Sequence, residues 1–220
     1  MEYVAVPEAA RLLGVSTRQV QHLAAAGELQ VVARGLVDRT SVDRYLAARP
    51  ASRRRAWSER TAWAAVALLS ARPAPWLGAP QRSRLRTTLR GLTADELLGR
   101  TRDRARAGWY AGHSSAPTRL RRDVVDTSAG AVMLGLAEAD RLNAYVVAAD
   151  LDDVVSRHAL VRAPGGRIVL RATTMDLGLV ADLAGAGVVL SALDLAESLD
   201  PRERRVGLDA LAGALGRFRG

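Results

Sequence analysis

Six polar residues that can bond to DNA bases or phosphates lie close together near the start of the chain. They are Ser16, Thr17, Arg18, Gln19, Gln21 and His22. Arginine and glutamine can each form paired hydrogen bonds to the edge of one base, and the others can bond bases or phosphates. No acidic residue interrupts the group. These residue types therefore imply direct reading of a DNA sequence, if one surface presents them together.

Two short amphipathic helices are expected to position this group. The first begins at Pro7, where a missing N–H costs nothing, and ends at Leu13. Gly14 supplies the left-handed backbone of a tight turn. Ser16 caps the second helix, and Gln19 completes a capping box. The apolar residues expected to pack the two helices together are Ala9, Leu12, Leu13, Val20, Leu23 and Ala24.

The residues after the second helix predict a small β-hairpin and a third helix. The apolar stretch 29–33 is typical of a strand, Arg34-Gly35 of a turn, and 36–37 of a short return strand. Ser41 is expected to cap the third helix.

This order of elements over about 45 residues resembles the excisionase-like and MerR-like winged helix-turn-helix families. The matching motifs are Pro7-Glu8-Ala9-Ala10, Leu13-Gly14-Val15-Ser16, Gly27-Glu28-Leu29 and Ser41-Val42-Asp43-Arg44-Tyr45-Leu46. The resemblance implies binding to double-stranded DNA through the second helix and a basic hairpin tip, which Arg34 and Arg39 match. The alternative is a helix-turn-helix used only for protein packing. The absence of acidic residues from the second helix favours DNA.

Charge is divided unevenly along the chain. Residues 1–122 contain 22 arginines and 9 acidic residues, whereas residues 123–220 contain 10 arginines and 14 acidic residues. The first part is suited to a polyanion and the second is not. We therefore expect the DNA-binding surface to lie in the first part.

The composition and the positions of glycine and proline predict a mainly α protein with small β elements, in which a winged helix-turn-helix precedes an α+β domain. The expected segments are a DNA-binding domain (1–50), a basic linker (51–57), a basic helical module (58–122) and an acidic α+β domain (123–220). In the linker, Arg53, Arg54 and Arg55 either contact phosphates or form a solvated tether. The arginine-rich helix 81–90 is expected to add phosphate contacts. Gly165-Gly166 predicts a β-hairpin between 160–163 and 167–172.

The C-terminal half resembles the effector half of AbiEi-type antitoxins. The similar stretches are Tyr145-Val146-Val147, 151–158, Leu160-Val161-Arg162, 165–173 and 192–211. The resemblance implies a protein that represses its own operon and opposes a nucleotidyltransferase-like toxin. The alternative is a stand-alone regulator whose C-terminal half forms a homodimer or binds an effector.

Other classes of function fit the sequence poorly. The chain has no cysteine, and its three histidines, His22, His113 and His158, share no metal-ligand spacing. Asp150, Asp152 and Asp153 are better explained as acidic residues at a helix N-terminus than as a catalytic metal site. No apolar run reaches the roughly 18 residues of a membrane span. We expect a cytoplasmic protein without cofactor, metal or enzymatic activity.

Overall fold

The computed structural model describes residues 3–48, 55–136, 141–163, 165–198 and 200–220. As expected, the chain is mainly helical, with some β structure in two small sheets. Of the three predicted linker arginines, Arg53 and Arg54 lie outside the described residues, and Arg55 is exposed.

Residues 3–48, here called the N-terminal unit, form three helices and a three-stranded sheet. The elements are β1 (Tyr3–Ala5), α1 (Val6–Leu13), α2 (Thr17–Ala25), β2 (Val31–Ala33), β3 (Leu36–Asp38) and α3 (Arg39–Ala48). The sheet is antiparallel in the order β1-β3-β2, so the predicted hairpin gains an unpredicted strand, β1, at its edge.

Local signals place most boundaries of this unit correctly. Pro7 lies in the first turn of α1, and Gly14 ends it in the left-handed region at φ 65°. The Ser16 hydroxyl accepts a hydrogen bond from the Gln19 backbone N–H, which is one half of the predicted capping box. The predicted cap of the third helix is wrong. Asp38 caps it instead, because its carboxylate accepts hydrogen bonds from the backbone N–H groups of Thr40 and Ser41.

The described residues from 55 to 220, here called the C-terminal unit, pack helices around a five-stranded sheet. In chain order the elements are α4 (Glu59–Leu69), α5 (Ala79–Arg90), α6 (Ala94–Thr101), β4 (Arg106–Ala111), α7 (Ala116–Leu120), β5 (Val125–Asp126), α8 (Ala129–Met133), β6 (Leu142–Val147), α9 (Leu151–Arg157), β7 (Val161–Arg162), β8 (Ile168–Thr173), α10 (Leu177–Gly185), α11 (Val189–Ala196) and α12 (Pro201–Arg219). Short 3-10 helices at Arg102–Arg104 and Ala148–Asp150 precede β4 and α9.

The order of strands corrects the predicted hairpin around Gly165-Gly166. The sheet runs β5-β6-β8-β4-β7, so β4 separates β7 from β8. Strands β6 and β8 are parallel, and the other pairs are antiparallel. Gly165 does turn the chain, at φ 72°. Gly166 lies so close to the backbone of Tyr110 that a Cβ on residue 166 would be 2.2 Å from the Tyr110 carbonyl oxygen. The two strands therefore meet β4 rather than each other.

The predicted boundary between residues 122 and 123 is also wrong, because one hydrophobic core crosses it. Residues of α4, α5 and α6 share a cluster with Tyr145 and with residues of α10, α11 and α12. The Trp63 indole N–H donates to the Arg104 carbonyl at 2.9 Å and the Thr173 hydroxyl at 3.1 Å. Its ring meets that of Tyr145 edge-on, with centroids 5.3 Å apart. The helical and α+β segments form one folded unit.

Candidate nucleic-acid interface

Helix α2 presents the predicted group of polar side chains to solvent. Val20 and Leu23 are buried, and all six residues of the group are exposed: Ser16, Thr17, Arg18, Gln19, Gln21 and His22. The 3.6-residue repeat therefore separates the apolar and polar faces as the sequence predicts. The helix begins after the Ser16 cap and ends at Ala25, and these two residues set the limits of the polar face.

The side chains of this face are available to a ligand. Among the described residues, those of Arg18, Gln21 and His22 make no hydrogen bond or ion pair within the protein. Helix α2 contains no acidic residue. The N-terminal end of a helix also carries partial positive charge from its free N–H groups. The face thus carries the positive charge of Arg18 and no negative charge, which suits a phosphate-rich partner.

A small core holds this face in place. Val20 and Leu23 of α2 pack with Ala9 and Leu13 of α1, and Leu29, Val37 and Val42 close the cluster. Gly14 makes the connection tight: the N–H groups of Gly14 and Val15 bond to carbonyls in the last turn of α1. The orientation of α2 is therefore determined by packing on α1 rather than by contacts of its polar side chains.

The two arginines assigned to the hairpin tip have different positions. Arg34 lies in the turn between β2 and β3 and is exposed, and the next residue, Gly35, adopts φ 83°. Arg39 is the first residue of α3, and its Nε bonds to both carboxylate oxygens of Asp43 at 3.1 Å. The assignment of Arg39 to the tip is therefore wrong, because the hairpin ends at Asp38.

The sheet of the N-terminal unit exposes several apolar side chains that sequence reasoning missed. Tyr3, Val31, Val32 and Leu36 are each between 39% and 50% exposed. The alternation of Tyr3-Val4-Ala5, in which only Val4 is buried, could have predicted β1.

The C-terminal unit contains a buried ionic network that the sequence did not suggest. Asp194 of α11 accepts hydrogen bonds from Arg104 at 2.8 Å, Tyr145 at 2.6 Å and Thr127 at 2.7 Å. Arg171 lies 3.0 Å from the same carboxylate through its Nε and also pairs with Glu197, as does Arg104. Two arginines thus balance two carboxylates, and the network offers no net charge to a ligand.

The charge state of the network follows from this balance. Burial alone would raise the pKa of Asp194, but the charges of Arg171 and Arg104 hold it below its ordinary value. Burial raises the pKa of the Tyr145 hydroxyl, which therefore stays protonated and donates to Asp194. The network is a structural element in which every charged group has an opposite partner.

A cavity of about 750 Å³ lies where the two units meet. Glu28 and Tyr45 line it from the N-terminal unit, and Trp109, Arg171 and Glu197 are among its residues from the C-terminal unit. Burial, followed by the charge of Glu197, raises the pKa of Glu28. The cavity is large enough for a small organic molecule.

The sequence predicts neither a metal site nor a membrane span. Within the described residues, no group of three or more histidine or acidic side chains is placed to hold a metal ion. No single described helix has the length and hydropathy to cross a membrane. Helices α10 and α11 have them only when taken together, and a 97° bend separates the two.

Comparison of the chain with models of known protein families, with characterised proteins and with solved structures finds no match.

Proposed function

We propose that this chain is a sequence-specific, DNA-binding transcription regulator. In this proposal residues 3–48 form a winged helix-turn-helix, and α2 is the recognition helix. The observation that carries the proposal is the exposed face of α2, where Arg18, Gln21 and His22 have no partner within the described part of the protein and no acidic residue is present.

The dimensions of α2 support the proposal. An α-helix with its side chains is about 10–12 Å wide, and the major groove of B-DNA is about 12 Å wide. Arg18 and Gln21 are three residues apart, which places them on adjacent positions of one helical face. Arg18 is suited to the O6 and N7 atoms of guanine, and Gln21 to the N6 and N7 atoms of adenine. Arg34 and Arg55 are exposed and would contact the phosphate backbone.

The test is a footprint of the full chain on the DNA upstream of its own gene. We expect Arg18→Ala with Gln21→Ala to abolish the specific footprint, because each lost base contact costs about 1–3 kcal/mol. Both side chains are exposed, so the melting temperature should not change. An unchanged footprint in the double variant would refute α2 as the recognition helix. Arg205→Ala, which removes an exposed arginine from α12, is the control and should leave the footprint intact.

We propose that the C-terminal unit makes this regulator an autorepressing cytoplasmic antitoxin that opposes a nucleotidyltransferase-like toxin. The resemblance to AbiEi-type antitoxins supports this role, as does the separation of hydrophobic cores. The cluster of the N-terminal unit includes no residue of the C-terminal unit, so each unit can carry its own activity.

Co-expression with a nucleotidyltransferase-like toxin encoded beside the gene tests this role. The wild-type chain should relieve the growth arrest and repress the operon. The Arg18→Ala and Gln21→Ala variant should relieve the arrest without repressing. If the wild-type chain gives no protection, the antitoxin role is refuted and the regulator role remains.

A second candidate is a regulator that responds to a small effector, which the cavity between the two units favours. A molecule bound there would touch both units and could alter how they meet. Native mass spectrometry of the protein purified from its own cells tests this idea. The expected result is a small-molecule adduct that Trp109→Ala removes, and an adduct-free wild-type protein would count against it.

A further inference from the structure

Helix α5 presents a second positive surface, separate from α2. The helix runs from Ala79 to Arg90 and contains four arginines and no acidic residue. Leu85 and Leu89 are buried against the core of the C-terminal unit. Because an α-helix has 3.6 residues per turn, the opposite side of α5 must face solvent. That side contains Arg84, Arg86 and Arg90.

The arrangement of the exposed residues on α5 is regular. Ser83 and Thr87, one turn apart, lie along the middle of the solvent side. Arg86 and Arg90, also one turn apart, flank them on one side, and Arg84 flanks them on the other. All five are exposed. We call Arg84, Arg86 and Arg90, together with these two hydroxyl residues, the α5 arginine face.

No carboxylate neutralises this face in the described part of the chain. The Arg84 guanidinium donates only to the Pro80 carbonyl, and the guanidinium groups of Arg86 and Arg90 make no hydrogen bond or ion pair in the described part of the chain. The next acidic residues along the chain are already engaged: Asp95 lies 3.8 Å from Arg204, and Glu96 caps α6. All 32 basic residues of the chain are arginine, so the choice of arginine over lysine on α5 says nothing about its function. The absence of acidic residues from this face is the informative feature.

The chemistry of the face favours nucleic acid over a protein partner. Protein interfaces usually depend on buried aromatic or other apolar anchors. Among the described residues, none of the large exposed apolar side chains lies on α5, whose solvent side is arginine and hydroxyl. A helix of this length is about 18 Å long. Duplex DNA of the same length carries roughly ten phosphates on its two strands, which is more than the three arginines of the face.

We propose that the α5 arginine face is a second nucleic-acid surface, which binds the phosphate backbone of duplex DNA without reading its sequence. The inference rests on the proposed function for the class of partner. By this inference the C-terminal unit contributes to DNA affinity in addition to its proposed antitoxin role. Specificity would remain with α2.

The test measures the affinity of the full chain for a random-sequence DNA duplex over a range of salt concentrations. In the test variant Arg84, Arg86 and Arg90 are all changed to alanine. The logarithmic salt slope should become shallower by up to about 2.7, which is 0.9 for each of three lost phosphate contacts. The ratio of specific to random-sequence affinity should not change, because the lost contacts are to phosphates.

A matched control removes the same charge from another part of the unit. Arg157, Arg202 and Arg205 are exposed and lie outside α5, and their triple alanine variant should keep the wild-type slope. A lysine triple variant of the α5 face retains the positive charge and should also keep it, which guards against loss of slope through misfolding. A slope in the alanine variant equal to that of the control would overturn the inference, whether the face is merely solvated or binds an acidic protein.

The same measurement in the Arg18→Ala and Gln21→Ala background separates this inference from the proposed function. If α2 is the recognition helix, that background loses specific binding but retains the contribution of α5 to random duplex. If that background keeps its specific footprint, the proposed function fails, and a slope that still depends on α5 supports the second surface independently.

Discussion

Gly207 of α12 lies directly against the backbone of Ala196 in α11. A Cβ added at Gly207 would lie 2.4 Å from the Ala196 nitrogen and 2.6 Å from the Ala192 carbonyl oxygen. Helix α11 is buried along its whole length, including Ser191 and Asp194. The missing side chain at Gly207 therefore allows α12 to cover α11 at backbone distance.

Gly207→Ala should destabilise the protein, because backbone atoms cannot move aside as the end of a flexible side chain can. We expect a loss of about 1–3 kcal/mol in the free energy of unfolding, measured in urea. Gly213→Ala on the same helix is the control. The nearest contact of its Cβ is an arginine side chain at 3.6 Å, so it should be neutral or stabilise by up to about 1 kcal/mol. Equal effects of the two substitutions would contradict the close approach.

Asp194→Asn should also destabilise the C-terminal unit. The substitution leaves Arg104 and Arg171 buried with only Glu197 as a charged partner, and breaking a buried ion pair costs about 3–5 kcal/mol. Asp209→Asn, at an exposed position of α12, should change stability by less than about 0.5 kcal/mol. The two variants are compared by urea denaturation. A stable Asp194→Asn protein would show that the network contributes little.

A fragment comprising residues 55–220 should fold alone, whereas one comprising 123–220 should not. The shorter fragment lacks β4, which pairs with both β7 and β8, and Trp63, which occupies the shared core. The longer fragment also retains Trp57, whose backbone N–H donates to the Arg100 carbonyl at 2.8 Å. Cooperative thermal unfolding, followed by circular dichroism, distinguishes the two. Cooperative unfolding of 123–220 would contradict the single core.

The linker arginines should contribute to affinity without contributing to specificity. Changing Arg53, Arg54 and Arg55 to alanine should weaken binding to specific and random DNA to a similar extent. The salt slope should fall by up to about 0.9 for each lost phosphate contact. It is measured beside the Arg157, Arg202 and Arg205 control variant. A wild-type slope in the linker variant would mean that the segment is only a tether.

The candidate site could be predicted from sequence because its determinants are local. The Gly14 turn, the Ser16 cap and the buried positions Val20 and Leu23 all lie within ten residues of one another. Local rules failed at the start of α3, where Asp38 and Ser41 each have a side chain that could cap the helix.

The C-terminal unit was predicted less well because its determinants are distant in sequence. Strand β4 has partners 50 or more residues away, and the Gly-Gly turn suggested a local pairing instead. Arg104 and Arg171 are of a type that is rarely buried. The one hint of their network was Asp194, an acidic residue between leucines in an otherwise apolar stretch.

The pairing of β4 with β8, in which Arg106 lies opposite Ala172, determines the order in which a growing chain can fold. The N-terminal unit has its own hydrophobic core, built from residues between Val4 and Tyr45, and can fold soon after it leaves the ribosome. The C-terminal unit must wait for α11 and α12. Until they emerge α4 can pack on α5 and α6, but the apolar surface that it shares with α11 and α12 stays uncovered. A chain terminated before α12 would therefore join an intact N-terminal unit to an unfolded, aggregation-prone remainder.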